Sequence, residues 1–179
     1  MKKMAAALIA VLMILSVAAL AEDSAFTFRN GVTFQMDMAA VMATESGRAE
    51  TDDEHTRGGI EYTKAEYEHV TENGAQADLE YLFIGNSLVA VRVKYDDGRM
   101  NYDTLMNDLT SRYGEAAAVD TAVLGSGIYI VDDEGRLKSD ARAFTSGGLM
   151  VVVEREKDDD GDEIEVTYLD MTAAYLTAR

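Results

Sequence analysis

The 179-residue chain has no cysteine, no proline, no tryptophan and only two histidines. Without cysteine there is no disulfide framework, no thiol nucleophile and no thiolate zinc site, so stability has to come from packing. Without proline or a low-complexity stretch, no linker marks a domain boundary. His55 and His69 are the only imidazoles, and no serine stands in the Gly-x-Ser-x-Gly elbow of a triad hydrolase. No phosphate loop or dinucleotide fingerprint occurs. Basic residues are scarce as well: 16 Lys and Arg face 33 Asp and Glu, a formal charge of −17. A surface this acidic repels nucleic acid and anionic membranes. It suits simple solvation, cations or a basic partner.

What is present begins with a targeting pattern. Lys2 and Lys3 precede an apolar run from Ala5 to Ala19, and Ala19-Leu20-Ala21 has the small-x-small form of a cleavage site. The run is short for a membrane span, and polar Glu22-Asp23-Ser24 follows it. The expectation is a signal peptide over 1–21, cleaved after Ala21 to leave 158 residues with a formal charge of −19. No cysteine follows it to carry a lipid anchor. The mature protein is therefore expected in the secreted, periplasmic or cell-envelope space, with no membrane insertion after cleavage.

The organising stretch is Ala77–Tyr95. Leu79, Tyr81 and Phe83 alternate with Asp78, Glu80 and Leu82; after Gly85-Asn86, Val89, Val91, Val93 and Tyr95 alternate with Ala90, Arg92 and Lys94. Period-two patterning interrupted by a Gly-Asn turn predicts a hairpin with one buried face, with Ala90, Arg92 and Lys94 on the opposite face toward solvent. Asp37 and Asn101 are predicted N-caps, Gly47 and Gly114 helix stops. The first helix places Met38, Val41, Met42 and Glu45 on one stripe; the second places Tyr102, Leu105, Met106, Leu109 and Tyr113 on another. Arg48–Gly59 is polar and reads as a loop. Ile60–Val70 reads as a strand with a bulge near Lys64, because Ile60 and Tyr62 alternate out of step with Ala65 and Tyr67. Further strands are expected at 128–131, 141–145, 149–156 and 164–169. Helix, three strands, helix, three or four strands predicts an α+β fold. Its two halves, 22–98 and 99–179, are tandem helix-plus-antiparallel-sheet units sharing one continuous sheet.

Chemistry is sparse. Asp158, Asp160 and Asp162 resemble part of a calcium loop, but a loop starting at Glu156 has Thr167 rather than Glu at its twelfth position. They read as a charged hairpin tip that binds metal weakly if at all. Met36, Met38 and Met42 suggest copper(I) by ligand type, but methionine at helical spacing is core filling. Asp52, Asp53 and His55 supply the one acidic, metal-assisted hydrolase site that can be drawn. Tyr62 and Tyr67 are the candidate binding residues, since tyrosine is favoured at interfaces. No catalytic residue and no cofactor is expected.

The stretch Phe28–Met36, with Gly31 and then Gln35-Met36 before a helix, resembles the G-x-x-x-G-M lead-in of exported bacterial proteins of the β-lactamase-inhibitor-protein-like type. The small outer-membrane-assembly lipoproteins share that plan. Gln35 stands where that pattern has its second glycine. Tyr113-Gly114 is similar to their helix end, and Leu79–Phe83 to their L-x-Y-x-F strand, while the usual later proline and tryptophan are missing. The resemblance spans most of the mature chain in element order. It implies a tandem fold used to bind protein, and no active site; the missing anchor cysteine counts against an outer-membrane assembly role. The expected function is a non-enzymatic, inhibitor-like module that binds an extracytoplasmic protein or glycan through an exposed sheet face. The alternatives are the hydrolase and a structural envelope protein. Mass spectrometry of protein from the native host is expected to find Glu22 at the mature N-terminus; mature protein retaining Met1–Leu20 would refute the cleavage site.

Overall fold

Two tight turns set the register of the sheet. Asn73 and Gly74 have φ of 50° and 80°, and Gly85 and Asn86 have φ of 55° and 68°. Positive φ at both central residues is the mark of a two-residue hairpin turn whose twist matches its strands. The sequence places asparagine and glycine at both turns, where those values cost least. The computed structural model describes residues 26–57, 60–95, 98–119, 140–157 and 161–173, of which 52–57 and 60 are described by their backbone alone. The expected signal peptide lies outside the described residues.

The strands are β1 (Glu50–Arg57), β2 (Ile60–Glu72), β3 (Ala75–Ile84), β4 (Ser87–Tyr95), β5 (Ala117–Ala118), β6 (Asp140–Ser146), β7 (Leu149–Lys157) and β8 (Asp162–Asp170). A 3-10 turn at Arg29–Gly31 and helix α1 (Met38–Thr44) precede β1, and helix α2 (Tyr102–Tyr113) lies between β4 and β5. All eight strands form one sheet in the order β1-β2-β3-β4-β8-β7-β6-β5. Every neighbouring pair is antiparallel. The fold is thus α+β with an antiparallel sheet. The halves are not those expected, because four strands rather than three follow the first helix. The polar stretch expected as a loop is the edge strand β1. A terminal strand needs no apolar alternation and is protected from stray pairing by charge. The candidate strand at 128–131 lies outside the described residues.

Both helices start where their caps predict. Asp37 Oδ1 accepts from the Ala40 amide at 2.7 Å, and Asn101 Oδ1 from the Thr104 amide at 2.9 Å. The first helix ends earlier than expected, at Thr44, with Glu45 rather than Gly47 as its cap. Val41, Leu105 and Leu109 pack on one sheet face with Leu79, Tyr81, Phe83, Val91, Val93, Tyr95, Val151, Val153, Ile164, Val166 and Tyr168. Phe26, Phe28 and Tyr168 form an aromatic group on that face, with centroids 5.4–6.2 Å apart. Met42, expected in this core, is 36% exposed.

Two bulges correct the predicted faces. Between β3 and β4 the register steps from Leu82↔Ala90 to Phe83↔Leu88. Val89 is the extra residue. It joins Leu82, Ala90, Val152 and Leu169 in a smaller cluster on the second face, while Leu88 takes its place in the main core. The extra residue of β2 lies between Tyr67 and Val70; opposite Lys64 the register also shifts, but there the extra residue is on β1, between Asp52 and His55. His69 in the β2 bulge has φ 56°, and its amide donates to Asp78 Oδ1 at 2.9 Å. Ala65 and Tyr67 belong to the main core and Tyr62 packs on the smaller cluster; the two phases are simply the two faces. Phe83 is fully buried. Phe83→Ala should cost about 3–5 kcal/mol, whereas Met42→Ala should stay within about 0.5 kcal/mol; urea melts of the two variants compare them directly.

Candidate functional site

Two polar assemblies are built into the sheet, one on each face. On the helix side, Glu45 turns back from the end of α1 onto β3. Its side chain is almost fully buried. Oε1 accepts from the Tyr81 hydroxyl at 2.5 Å, Oε2 accepts from Asn30 Nδ2 at 3.1 Å, and Arg29 Nε lies 3.5 Å from Oε2. Arg29 also reaches Glu72 Oε2 at 3.4 Å and donates to the Thr71 carbonyl at 3.2 Å. Burial, then the bond to Glu45, drives the Tyr81 phenol far above its ordinary value. Burial also raises Glu72, against the pull of Arg29. The phenol, held in its protonated form, and the carboxylate that accepts from it fasten the N-terminal turn and α1 to the sheet. A single glutamate on an otherwise apolar helical stripe was the sequence signal for this network.

On the second face the polar residues run across β2, β3, β4 and β8. Cross-strand register sets Glu66 opposite Glu80, Glu80 opposite Arg92, and Lys94 opposite Glu165. Glu80 is 4% exposed. Its two oxygens take Lys94 Nζ at 2.6 Å and Arg92 Nη1 at 3.3 Å. Burial works to raise the Glu80 carboxyl, but Arg92 and Lys94 outweigh it, so it lies below the usual range. Arg92 Nε is 3.1 Å from Glu165 Oε1, and Lys64 Nζ is 3.1 Å from Glu66 Oε2. Arg92 is therefore a central bridge and not the free solvent-facing residue its position in the alternation predicts. The half-exposed rim of this band is Lys64, Glu66 and Lys94. Leu82, Ala90, Val152, Thr167 and Leu169, further along the face, are buried, so the face is not the uniformly exposed one expected.

The candidate binding tyrosines do not come together. Tyr67 is 3% exposed and meets Tyr81 edge-to-face with centroids 6.0 Å apart. It belongs to the main core rather than to an exposed surface. Tyr62 is half-buried on the second face beside the charged band. Asp52, Asp53 and His55 lie on β1, a strand and not a loop, and their side chains are outside the described residues. The β7–β8 hairpin is formed, with Lys157 opposite Asp162. Asp158 and Asp160 lie outside the described residues; the Asp162 carboxylate is 3.7 Å from Arg155 Nη1. Arg155 also pairs with Asp140 and lies 3.8 Å over the Tyr102 ring. Among the described residues, no three of His, Cys, Asp and Glu gather as a metal-ligand set, and no helix is long and apolar enough to cross a membrane.

No protein-family model matches the chain, and no curated protein or solved structure does.

Removing Arg92 leaves Glu80 and Glu165 short of a cation in a largely buried place. Arg92→Ala is expected to cost about 1–3 kcal/mol, against less than about 1 kcal/mol for Lys94→Ala at the exposed rim. Chemical denaturation of both variants measures the difference, and equal small losses would show that the bridge contributes nothing.

Proposed function

We propose that the protein is a non-enzymatic, inhibitor-like binding module of the secreted or periplasmic space, and that it docks an extracytoplasmic protein through the charged band of the second sheet face. The observation that carries this reading is the band itself. Lys64 pairs with Glu66 along β2, and Lys94 with Glu80 and Arg92 with Glu165 across strands, all beside Tyr62, with their outer edge reaching solvent. Charges fixed before contact lose little freedom on docking. A patterned band of both signs selects a partner and orients it more than it adds raw affinity.

The finer architecture is read the same way. The 3-10 turn and α1 with β1–β4, and α2 with β5–β8, are taken as tandem halves that pair through β4 and β8, in the manner of the inhibitor-type proteins that the sequence resembles. The mirrored strand order around that central pair supports it.

A charge swap tests the docking surface. Lys64→Glu combined with Glu66→Lys keeps both the net charge and a local ion pair, but inverts the pattern. The chain lacking residues 1–21 is used as bait against the secretome of the native host, beside the swapped variant. The expected result is a partner retained by the parent protein, released by salt and lost by the variant. Retention of no protein or glycan, or equal retention by both baits, sinks the proposal.

A further inference from the structure

At the end of the sheet where the β3–β4 turn meets the last residue of β8, there is a cavity of about 300 Å³ lined by Gln35, Ile84, Ser87, Val89, Asp170, Thr172 and Ala173. Its walls are fixed by backbone bonds. The Gln35 amide donates to the Leu88 carbonyl at 2.9 Å, and the Leu88 amide donates to the Met36 carbonyl at 2.9 Å, which straps residues 35–36 onto the start of β4. The Met171 amide donates to the Gly148 carbonyl at 2.8 Å. A Cβ on Gly148 would come within 2.5 Å of Thr172 Cγ2, so only glycine lets Thr172 sit where it does.

Asp170 is 3% exposed. Its Oδ1 is filled by the Thr172 amide at 2.9 Å and the Thr172 hydroxyl at 2.5 Å. Its Oδ2 is equally buried and has no hydrogen-bond partner. Among the described residues no cation pairs with it. The buried acids Glu45 and Glu80 are treated differently: the first has Arg29, the second Arg92 and Lys94. A buried carboxylate persists when a cation or hydrogen-bond donors compensate it, and at Asp170 one oxygen still lacks that compensation.

We propose that this cavity is a binding site for a small alkylammonium, its charged head paired with Asp170 and its alkyl chain against Ile84, Val89 and Ala173. A bare metal ion matches the place less well, because among the described residues one carboxylate is the only charged group in the lining and much of the wall is aliphatic. Ser87 and Gln35 supply neutral oxygens for the other ammonium protons. Gln35 holds φ at 68°, an uncommon conformation for a side chain of its size. Glycine there would relax the backbone and delete one wall. This site is independent of the docking role proposed for the charged band.

The test uses the chain without residues 1–21 and amide chemical-shift titration with butylammonium at physiological salt. Shifts are expected to concentrate at Gln35, Ser87 and Thr172. Isosteric 1-butanol should bind at least tenfold more weakly. Asp170→Asn, which keeps an oxygen for Thr172, should also weaken butylammonium at least tenfold. Gln35→Gly should raise the melting temperature yet weaken binding, which separates recognition from folding, and Ala173→Leu should block the cavity without touching the carboxylate. Butanol binding as well as butylammonium, unchanged affinity in Asp170→Asn and Ala173→Leu, or shifts spread over the acidic surface would each overturn the assignment.

Discussion

The pairing of β4 with β8 is the interaction on which the rest of the molecule depends. Six residue pairs, from Ala90↔Leu169 to Tyr95↔Ile164, are the only ladder among the described residues that joins β1–β4 to β5–β8. On the helix side the seam is apolar, with Val91, Val93 and Tyr95 against Tyr168, Val166 and Ile164. On the other side it carries Arg92, Lys94, Glu165 and Thr167. One ladder thus sets both the continuity of the core and the geometry of the charged band. Without it, each half presents a bare central edge, and the main core is cut through its middle.

The two faces divide the work. The helix-side face is closed by α1, α2 and the aromatic segment before them, and its buried glutamate, Glu45, is satisfied by Tyr81, Asn30 and Arg29. That network makes the N-terminal segment part of the core, beside the backbone bonds that strap Gln35 and Met36 to Leu88 of β4. The second face holds its charges in pairs. Because Glu80 sits between two cations below the surface, the band keeps its pattern in salt better than a fully exposed set of pairs would.

Much of this was legible in the sequence for definite reasons. The caps Asp37 and Asn101, the stop at Gly114 and the turns at Asn73-Gly74 and Gly85-Asn86 depend on a few residues with strong local chemistry, and each stands where that chemistry places it. The alternation of Leu79, Tyr81 and Phe83 was correct because β3 itself carries no extra residue there and pairs with β2 without a break from Leu79 to Phe83. The errors occur where a neighbouring strand decides. Val89 looks like a core residue in its own run, and only the mismatch between β3 and β4 moves it to the other face. The phase change between Tyr62 and Ala65 looks like a bulge until the sheet is known to bury residues on both sides. Strand β1 was hidden because an edge strand rich in Glu, Asp and Thr has the composition of a loop. The Asp170 cavity had no local signal at all, since its walls come from three separate stretches of chain.

The strand order also has a consequence in time. As the chain is made, β1 to β4 follow one another through short turns, and the first half can assemble from local contacts. The partner of β4 comes from the far end of the described sequence, so the central ladder closes late, after the slow search that distant pairings require. Until then β4 is an unprotected edge, open to pairing with a second copy of the chain. Arg92 and Lys94 stand on that edge. The same two cations that later neutralise Glu80 serve, during assembly, as the charges that discourage one nascent sheet from adding to another.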